Sequence, residues 1–232
     1  MGLLRYAMRI SVIIPVLNEE KTIAATLLAL QGLNPDELIL VDGGSTDGTR
    51  QVCRQFGVEP FSSSRGRARQ MNFGAARATG DVFVFLHADT RLPASAFDDI
   101  RFVLNDPQVV GGRFDLQLDD SRPTLRLVGF MISLRSRISK VGTGDQAIFV
   151  RRNIFTKLGG YPDVPLMEDV ALSRALKREG AIACLRSRVT TSARRWEQEG
   201  VWGTILKMWV LKSLYLAGIS PTYLKRYYGD TR

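Results

Sequence analysis

His87 and Asp89 stand two residues apart in the segment FLHADT (85–90), directly after the apolar run VFVF, and His87 is the single histidine of the chain. An imidazole and a carboxylate at the end of a buried strand are groups that hold a divalent cation or meet a phosphate. A core histidine without a ligand is the alternative. Asn18-Glu19 and Asp42-Gly43-Gly44-Ser45 are further polar clusters that follow apolar runs, and Glu168-Asp169 is an adjacent carboxylate pair. On its own that pair reads as a helix start, where the positive end of the helix dipole favours negative charge. Arginine gathers at Arg65, Arg67 and Arg69, at Arg135 and Arg137, at Arg151 and Arg152, and at Arg194 and Arg195. Its planar fork suits bidentate phosphate binding, with a solvated basic face as the competing reading.

The elements that must position these groups alternate in the first half. Ile10–Val16 (ISVIIPV) is a continuous β-branched run, as a strand buried on both faces should be. A helical stripe over 20–30 follows, then a strand over 37–41 and a helix over 46–56 capped by Ser45 or Thr46. A short strand near 58–61, a helix over 67–78 stopped by Gly80, the strand 81–86 and a helix over 93–104 complete this half. The β-α-β-α order implies a parallel sheet with helices on both faces, and ligands of such sheets gather at the carboxyl ends of the strands. The clusters at Asn18-Glu19, Asp42-Gly43 and His87-Ala88-Asp89 all fall at those ends, so the topology should bring them to one edge.

Beyond Asp106-Pro107 the spacing predicts a strand with a glycine bend over Val109–Leu118 and a basic amphipathic helix over 124–138. A strand over 145–150, a helix over Glu168–Glu179, short strands at 182–185 and 188–192 and a last helical region over 198–217 follow. No internal repeat or low-complexity linker interrupts the chain.

The 232 residues carry a net charge of +9 with 45% hydrophobic and 24% charged residues. These values describe a globular chain with an excess charge that favours anionic partners. The two cysteines, Cys53 and Cys184, have no metal spacing and read as free thiols of a reducing compartment. The amino terminus has no signal-peptide pattern, and no apolar run is long enough for a membrane span, so a cytoplasmic location is expected. The nearest approach, 201–219, is interrupted by Lys207 and Lys212. Its Trp202, Trp209 and Tyr215 suit a membrane interface and a lipid-linked acceptor; a core helix or a homo-oligomer interface is the alternative.

IPVLNEE, VDGGSTDGT, MNFGAARATGD, FLHADT and MEDVALSRAL, in this order and with these intervals, resemble the family 2 glycosyltransferases, inverting enzymes of the GT-A fold. The resemblance covers residue 10 to about residue 196. It implies an α/β fold with a Rossmann-like, mostly parallel central sheet flanked by helices. The implied division is a nucleotide-sugar-binding half (1–106), an acceptor-binding half of the same domain (107–196) and a C-terminal helical segment (197–232). Its implied partners are a nucleotide-diphosphate sugar and a sugar or lipid-linked acceptor hydroxyl.

The resemblance also assigns roles. Pro15, Asn18 and Glu19 look like the first nucleotide-contacting loop, and Asp42, with Gly43, looks like the contact to the base. Arg65, Arg69 and Asn72 look like the donor-contacting helix entry. Family members often have Arg just before that Asn; Met71 stands there instead, which leaves open which arginine meets phosphate. FLHADT takes the place of Asp-x-Asp, with His87 for the first carboxylate, Ala88 between, and Asp89 retained to hold Mn²⁺ or Mg²⁺. Asp169 corresponds to the general base, with Glu168 the second choice. Asp145 and Gln146 fall near the acceptor, and Arg195-Trp196 is similar to the QxxRW segment of processive members, whose Gln is absent here.

A sugar-phosphate nucleotidyltransferase would need a Gly-rich, Arg-bearing loop after the first strand, where this chain has Leu17-Asn18-Glu19-Glu20. A non-catalytic nucleotide-sugar-binding or scaffold protein of the same fold draws support from His87. The dinucleotide-binding fingerprint GxGxxG is absent. No helix-turn-helix or aromatic platform accompanies the charge, so nucleic acid is not the expected partner.

Overall fold

The protein is described by a computed structural model over residues 8–228. Most of the amino-terminal stretch read for a signal peptide (1–7) and the end of the C-terminal segment (229–232) lie outside the described residues. The chain runs β1 (Ile10–Val16), α1 (Ile23–Leu33), β2 (Glu37–Asp42), α2 (Thr49–Gln55), β3 (Phe61–Ser62), α3 (Arg67–Ala75), β4 (Val82–Phe85), β5 (Thr90–Arg91) and α4 (Ala96–Val103). It continues through β6 (Val109–Leu118), α5 (Pro123–Ser139), β7 (Ile148–Arg151), α6 (Arg152–Lys157), α7 (Glu168–Glu179), β8 (Ala181–Thr191), α8 (Arg194–Glu199), α9 (Val201–Leu216) and α10 (Pro221–Leu224).

One sheet in the order β3-β2-β1-β4-β7-β6-β8-β5 runs through the molecule. The strands β3, β2, β1 and β4 are parallel; β7 is antiparallel to β4 and β6, β8 parallel to β6, and β5 antiparallel to β8. The sheet is therefore parallel where alternation of strand and helix predicts it, and mixed beyond β4. Successive residues of the central strands feed two cores, as the two-residue period of a strand requires. Val12, Ile14, Val82 and Val84 pack with Leu27 and Leu30 of α1 and Ile100 of α4. Ile13, Phe83 and Phe85 face the other way, onto Met71 of α3, Phe155 of α6 and Leu172 of α7. Each such side chain contributes about 1.5–3 kcal/mol on burial. A third cluster joins Leu211 of α9 and Leu224 of α10 to Met167 and Val170 at the start of α7.

Several expected boundaries shift for local reasons. The helix expected from 46 begins at Thr49, because Ser45 donates its hydroxyl to Asp42 at 2.5 Å and Asp47 accepts the Thr49 N–H at 3.0 Å. The strand near 58–61 is only Phe61–Ser62. The strand expected from 145 opens as a 3-10 turn, Gly144–Gln146, before β7 starts at Ile148. The two short strands at 182–185 and 188–192 are one strand, β8, with a register shift between its pairings at Leu185 and Arg188. The final helical region is divided by Gly200, whose φ of 74° suits glycine. The strand β5 carries no sequence signal; it is held to β8 by the Thr90–Thr191 pairing.

Candidate active site

The parallel neighbours β1, β2 and β4 end side by side, with Val16 opposite Asp42 and Ile13 opposite Phe85. Asn18-Glu19, Asp42-Gly43 and His87-Ala88-Asp89 therefore share one sheet edge, as the strand order requires. The buried Gln70 amide fastens two of these ends by donating to Val16 O and Val41 O, each at 2.8 Å. Asn18, at φ 52°, accepts the Thr46 N–H at 2.9 Å and so ties the loop after β1 to the loop after β2. Asp42 accepts from the Ser45 N–H at 3.0 Å and from Arg50 at 3.2 Å. Pro15 is buried inside β1 opposite Val41. Ala88 lies in the core, and its carbonyl accepts the Thr26 hydroxyl at 2.8 Å.

The pairing of β5 with β8 places the chain after Thr191 beside the chain after β4. Arg194 consequently stands 3.6 Å from Glu19 and 4.0 Å from Asp89. Glu19 is buried and accepts the Thr22 hydroxyl at 2.8 Å. Trp196 packs against the main core, and the Arg195 guanidinium lies 4.3 Å above the Tyr228 ring.

The Glu168-Asp169 pair sits at the start of α7. Asp169 accepts the Val170 N–H at Oδ1 and the Gly144 N–H at Oδ2, each at 2.7 Å. Both bonds fix the carboxylate while leaving lone pairs for a hydroxyl. Met167, immediately before the pair, has φ 66°, a strained setting for a non-glycine residue that costs on the order of 1–3 kcal/mol. The third core cluster holds it there. Glu168 is buried and faces Arg67 at 3.6 Å. Burial, then the Asp169 charge, pushes the Glu168 carboxyl above its ordinary range. Burial also opposes the Arg67 charge, but Glu168, Tyr228, Asp169 and Asp89 outweigh it and hold the guanidinium above its usual value. Arg67 thus stands in the field of both Asp169 and the strand-end carboxylate Asp89.

His87 faces this side too. A methyl group added at Gly144 would lie 2.5 Å from His87 Nε2, so the imidazole edge rests on the turn that holds Asp169.

Other expected contacts resolve differently. Both ends of the Asn72 amide bond Tyr161 backbone, at 2.8 and 2.9 Å, which makes Asn72 a latch on the loop before α7. Gln146 is fully buried and spends its amide on Phe114 O, Ser136 Oγ and the Thr143 N–H. Arg69 points to Asp163 at 2.9 Å, and Arg65 is exposed. Asp145 lies near Asp169; burial pushes its carboxyl up, opposed by a Thr143 hydrogen bond and by Arg135, with Asp169 adding to the shift. Of the three arginines at 65, 67 and 69, Arg67 is the one that faces Glu168 and lies in the field of Asp169 and Asp89. Helical phase carries the signal: Arg67 precedes the buried Met71 and Ala75 by one and two turns, whereas Arg69 falls on the opposite face.

No three His, Cys, Asp or Glu side chains converge on one point among the described residues. Asp89 is a partly exposed carboxylate, whereas His87 Nε2 is directed at Gly144. The chain thus offers one open carboxylate for a divalent ion, a donor set that fits Mg²⁺ or Mn²⁺ when phosphate and water fill the other positions.

Residues 11–159 match the family described as Glycosyl transferase family 2. A probable glycosyltransferase of Bacillus subtilis, YdaM, is 26% identical over 90% of this chain and 56% of its own length. A PGL/p-HBAD biosynthesis glycosyltransferase of Mycobacterium bovis is 32% identical over 65% of this chain and 62% of its own length. The chain thus spans less than two thirds of either relative. Among solved structures, glucosyl-3-phosphoglycerate synthase from Mycobacterium tuberculosis, in complex with Mn²⁺ and UDP-glucose, superposes with a TM-score of 0.63 at 23% identity, over 91% of this chain and 80% of that one. A mannosyltransferase from Pyrobaculum calidifontis in complex with GDP-mannose and Mn²⁺ gives 0.64 at 21% identity, over 83% of this chain and 60% of that one. These likenesses establish the fold, an α/β sheet of the GT-A kind.

Proposed function

The chain belongs to glycosyl transferase family 2, and from that premise we propose that it moves a sugar from a nucleotide-diphosphate sugar to an acceptor hydroxyl with inversion, Asp169 acting as general base. The observation that carries this reading is the shared edge: the strand-end carboxylates Asp42 and Asp89 on one side, and an oriented Asp169 on the other.

In this reading 1–106 is the donor half, 107–196 the acceptor half and 197–232 the C-terminal segment, whose helices α9 and α10 pack on the start of α7 through Leu211 and Leu224. The acceptor oxygen attacks the anomeric carbon in line while its proton passes to Asp169. The bond from that carbon to the diphosphate oxygen breaks, its electron pair stays with the diphosphate, and no general acid is needed. Arg67 and Arg194 border the donor edge and meet the charge that develops there. Asp89 would hold the divalent ion, which supplies further positive charge to the leaving group. Glu168 keeps Arg67 in place and is shielded from the acceptor by its burial. The relatives of this fold that hold UDP-glucose or GDP-mannose with Mn²⁺ support the donor class.

The reading extends to a membrane surface at the cytoplasmic face. No helix among the described residues is long and apolar enough to cross a membrane. Yet α9 exposes Trp202, Leu206, Trp209 and Val210 at helical spacing, Trp202 by 80% and Trp209 by 71%. The helix α5 exposes Leu127, Phe130, Met131 and Ile138 in the same manner. Apolar stripes on a chain of net charge +9 match an anionic bilayer interface and a lipid-linked acceptor.

Titration calorimetry with UDP, GDP and their sugars, with and without Mn²⁺, tests the function. Binding of one nucleotide diphosphate that strengthens with metal is expected. Absence of binding to all of them contradicts the reading.

A further inference from the structure

Arg135 of α5 and Lys212 of α9, on helices far apart in sequence, both lie in the field of Asp169. The helix α5 reaches this point because Ser136 accepts from Gln146 at 2.9 Å, next to the Gly144 turn. The helix α9 reaches it because Leu211 is buried against Met167 and Val170. Each brings a cation. Nε and Nη2 of Arg135 are buried with no hydrogen-bond partner among the described residues. Lys212 is partly buried and feels the charges of Arg135 and Asp169.

Two cations side by side repel, and burial removes the water that would screen them. The charged groups around them do not cancel that cost. Asp169 is occupied by two N–H donors. Asp145 faces Arg135 from the turn, yet its Oδ1 is also buried without a partner, and burial favours its neutral form. Arg113, on β6, is paired with Asp115 at 2.5 Å and adds only to the repulsion on Arg135. Burial and Arg135 push Lys212 down to about 8, while Asp169 offsets only part of that shift. A fork with two unbonded N–H donors and an ammonium whose charge Asp169 offsets only in part are the parts of a phosphate site.

We propose that Arg135 and Lys212 form a phosphate-binding subsite beside Asp169, and that the acceptor carries a phosphoryl group close to the hydroxyl that is glycosylated. The naming of this ligand as the acceptor rests on the proposed transfer reaction; the cationic pair itself belongs to the fold. Such a group would neutralise both cations and fix the hydroxyl against the base.

The test is phosphate binding by the full chain saturated with its nucleoside diphosphate and Mg²⁺, so that the donor site is filled. Inorganic phosphate, glycerol 3-phosphate and dihexanoyl phosphatidate are the probes. All should bind, and Arg135→Gln and Lys212→Gln should each weaken binding at least tenfold with nucleotide affinity kept within threefold. Lys212→Arg should restore it, which separates loss of charge from loss of fold. Tighter binding of the phosphatidate assigns the phosphoryl group to a lipid, and equal binding of glycerol 3-phosphate to a soluble acceptor. No phosphate binding once the nucleotide is in place, or equal binding by both Gln variants, overturns the subsite. Failure of nucleotide binding itself is a different result and speaks against the transferase reading.

Discussion

The imidazole of His87 rests on Gly144, and Gly144 in turn donates its N–H to Asp169 Oδ2 at 2.7 Å. The end of β4 and the proposed base therefore share a single residue between them. The Nε2 of His87 lies against this turn, and in the proposed reading the histidine supports the base from the donor side. In that reading Asp89 is the carboxylate that would hold the divalent ion.

Gly144 should tolerate no side chain. A methyl group there would sit 2.5 Å from His87 Nε2, and relief would have to come from the turn or the ring. Gly144→Ala is expected to lower kcat at least tenfold with nucleotide affinity unchanged, because the Asp169 hydrogen bond moves. His87→Ala in the same chain should recover most of the loss. Steady-state kinetics of the single and double variants check this, and equal rates in all of them would remove the coupling.

Asp89→Ala should abolish the strengthening of donor binding by Mn²⁺ while leaving the metal-free affinity as it is. Calorimetry in the presence and absence of Mn²⁺ measures both. His87→Ala should keep most of the metal effect, since Nε2 is directed elsewhere. The reverse order of effects would return His87 to the metal.

Much of this arrangement is legible in the sequence. Apolar runs long enough to fill a strand ended at Asn18, Asp42 and His87, and a parallel order allows only one edge for them. Legibility failed where a polar side chain has two uses. An amide such as Asn72 or Gln146 reads alike whether it meets a ligand or a backbone, and here both fasten loops. The three alternating arginines at 65, 67 and 69 could be separated only by the buried phase of α3. The pairing of Arg135 with Lys212, and of Arg194 with Glu19 and Asp89, depends on how distant elements dock. No local spacing encodes that.

Lys212 gives the phosphate subsite a pH signature. Its folded value of about 8 lies below the ordinary 10.5. Below about 8 the ammonium is charged in both states, and between the two values the unfolded chain binds the extra proton. Stability should therefore rise with pH across that window, while phosphate affinity falls as Lys212 loses its charge. Arg135 faces it from α5 and Asp169 from α7. Phosphate titrations from about pH 6.5 to 9.5 should show the loss in wild type and not in Lys212→Arg, a comparison that also removes the ionisation of phosphate itself. Parallel profiles would contradict the assignment.

The exposed stripe on α9 predicts binding to anionic vesicles. Fully burying one large apolar side chain is worth about 1.5–3 kcal/mol, so Trp202→Glu and Trp209→Glu should each weaken partitioning tenfold or more. Flotation with phosphatidylglycerol-containing liposomes measures it. Wild-type protein that stays at the bottom of the gradient in low salt would refute the membrane reading.

The central claim is that an oriented Asp169 takes a proton from the attacking hydroxyl. Hydrolysis of the bound nucleotide sugar, followed by time-resolved NMR, tests it most directly, with water standing in for the acceptor. Wild type should release the sugar with inverted configuration at the anomeric carbon. Asp169→Asn should bind the donor within threefold of wild type and lose about 10²–10⁴-fold in rate, the range for a positioned general base. Retained configuration, or near wild-type turnover by Asp169→Asn, would contradict the account.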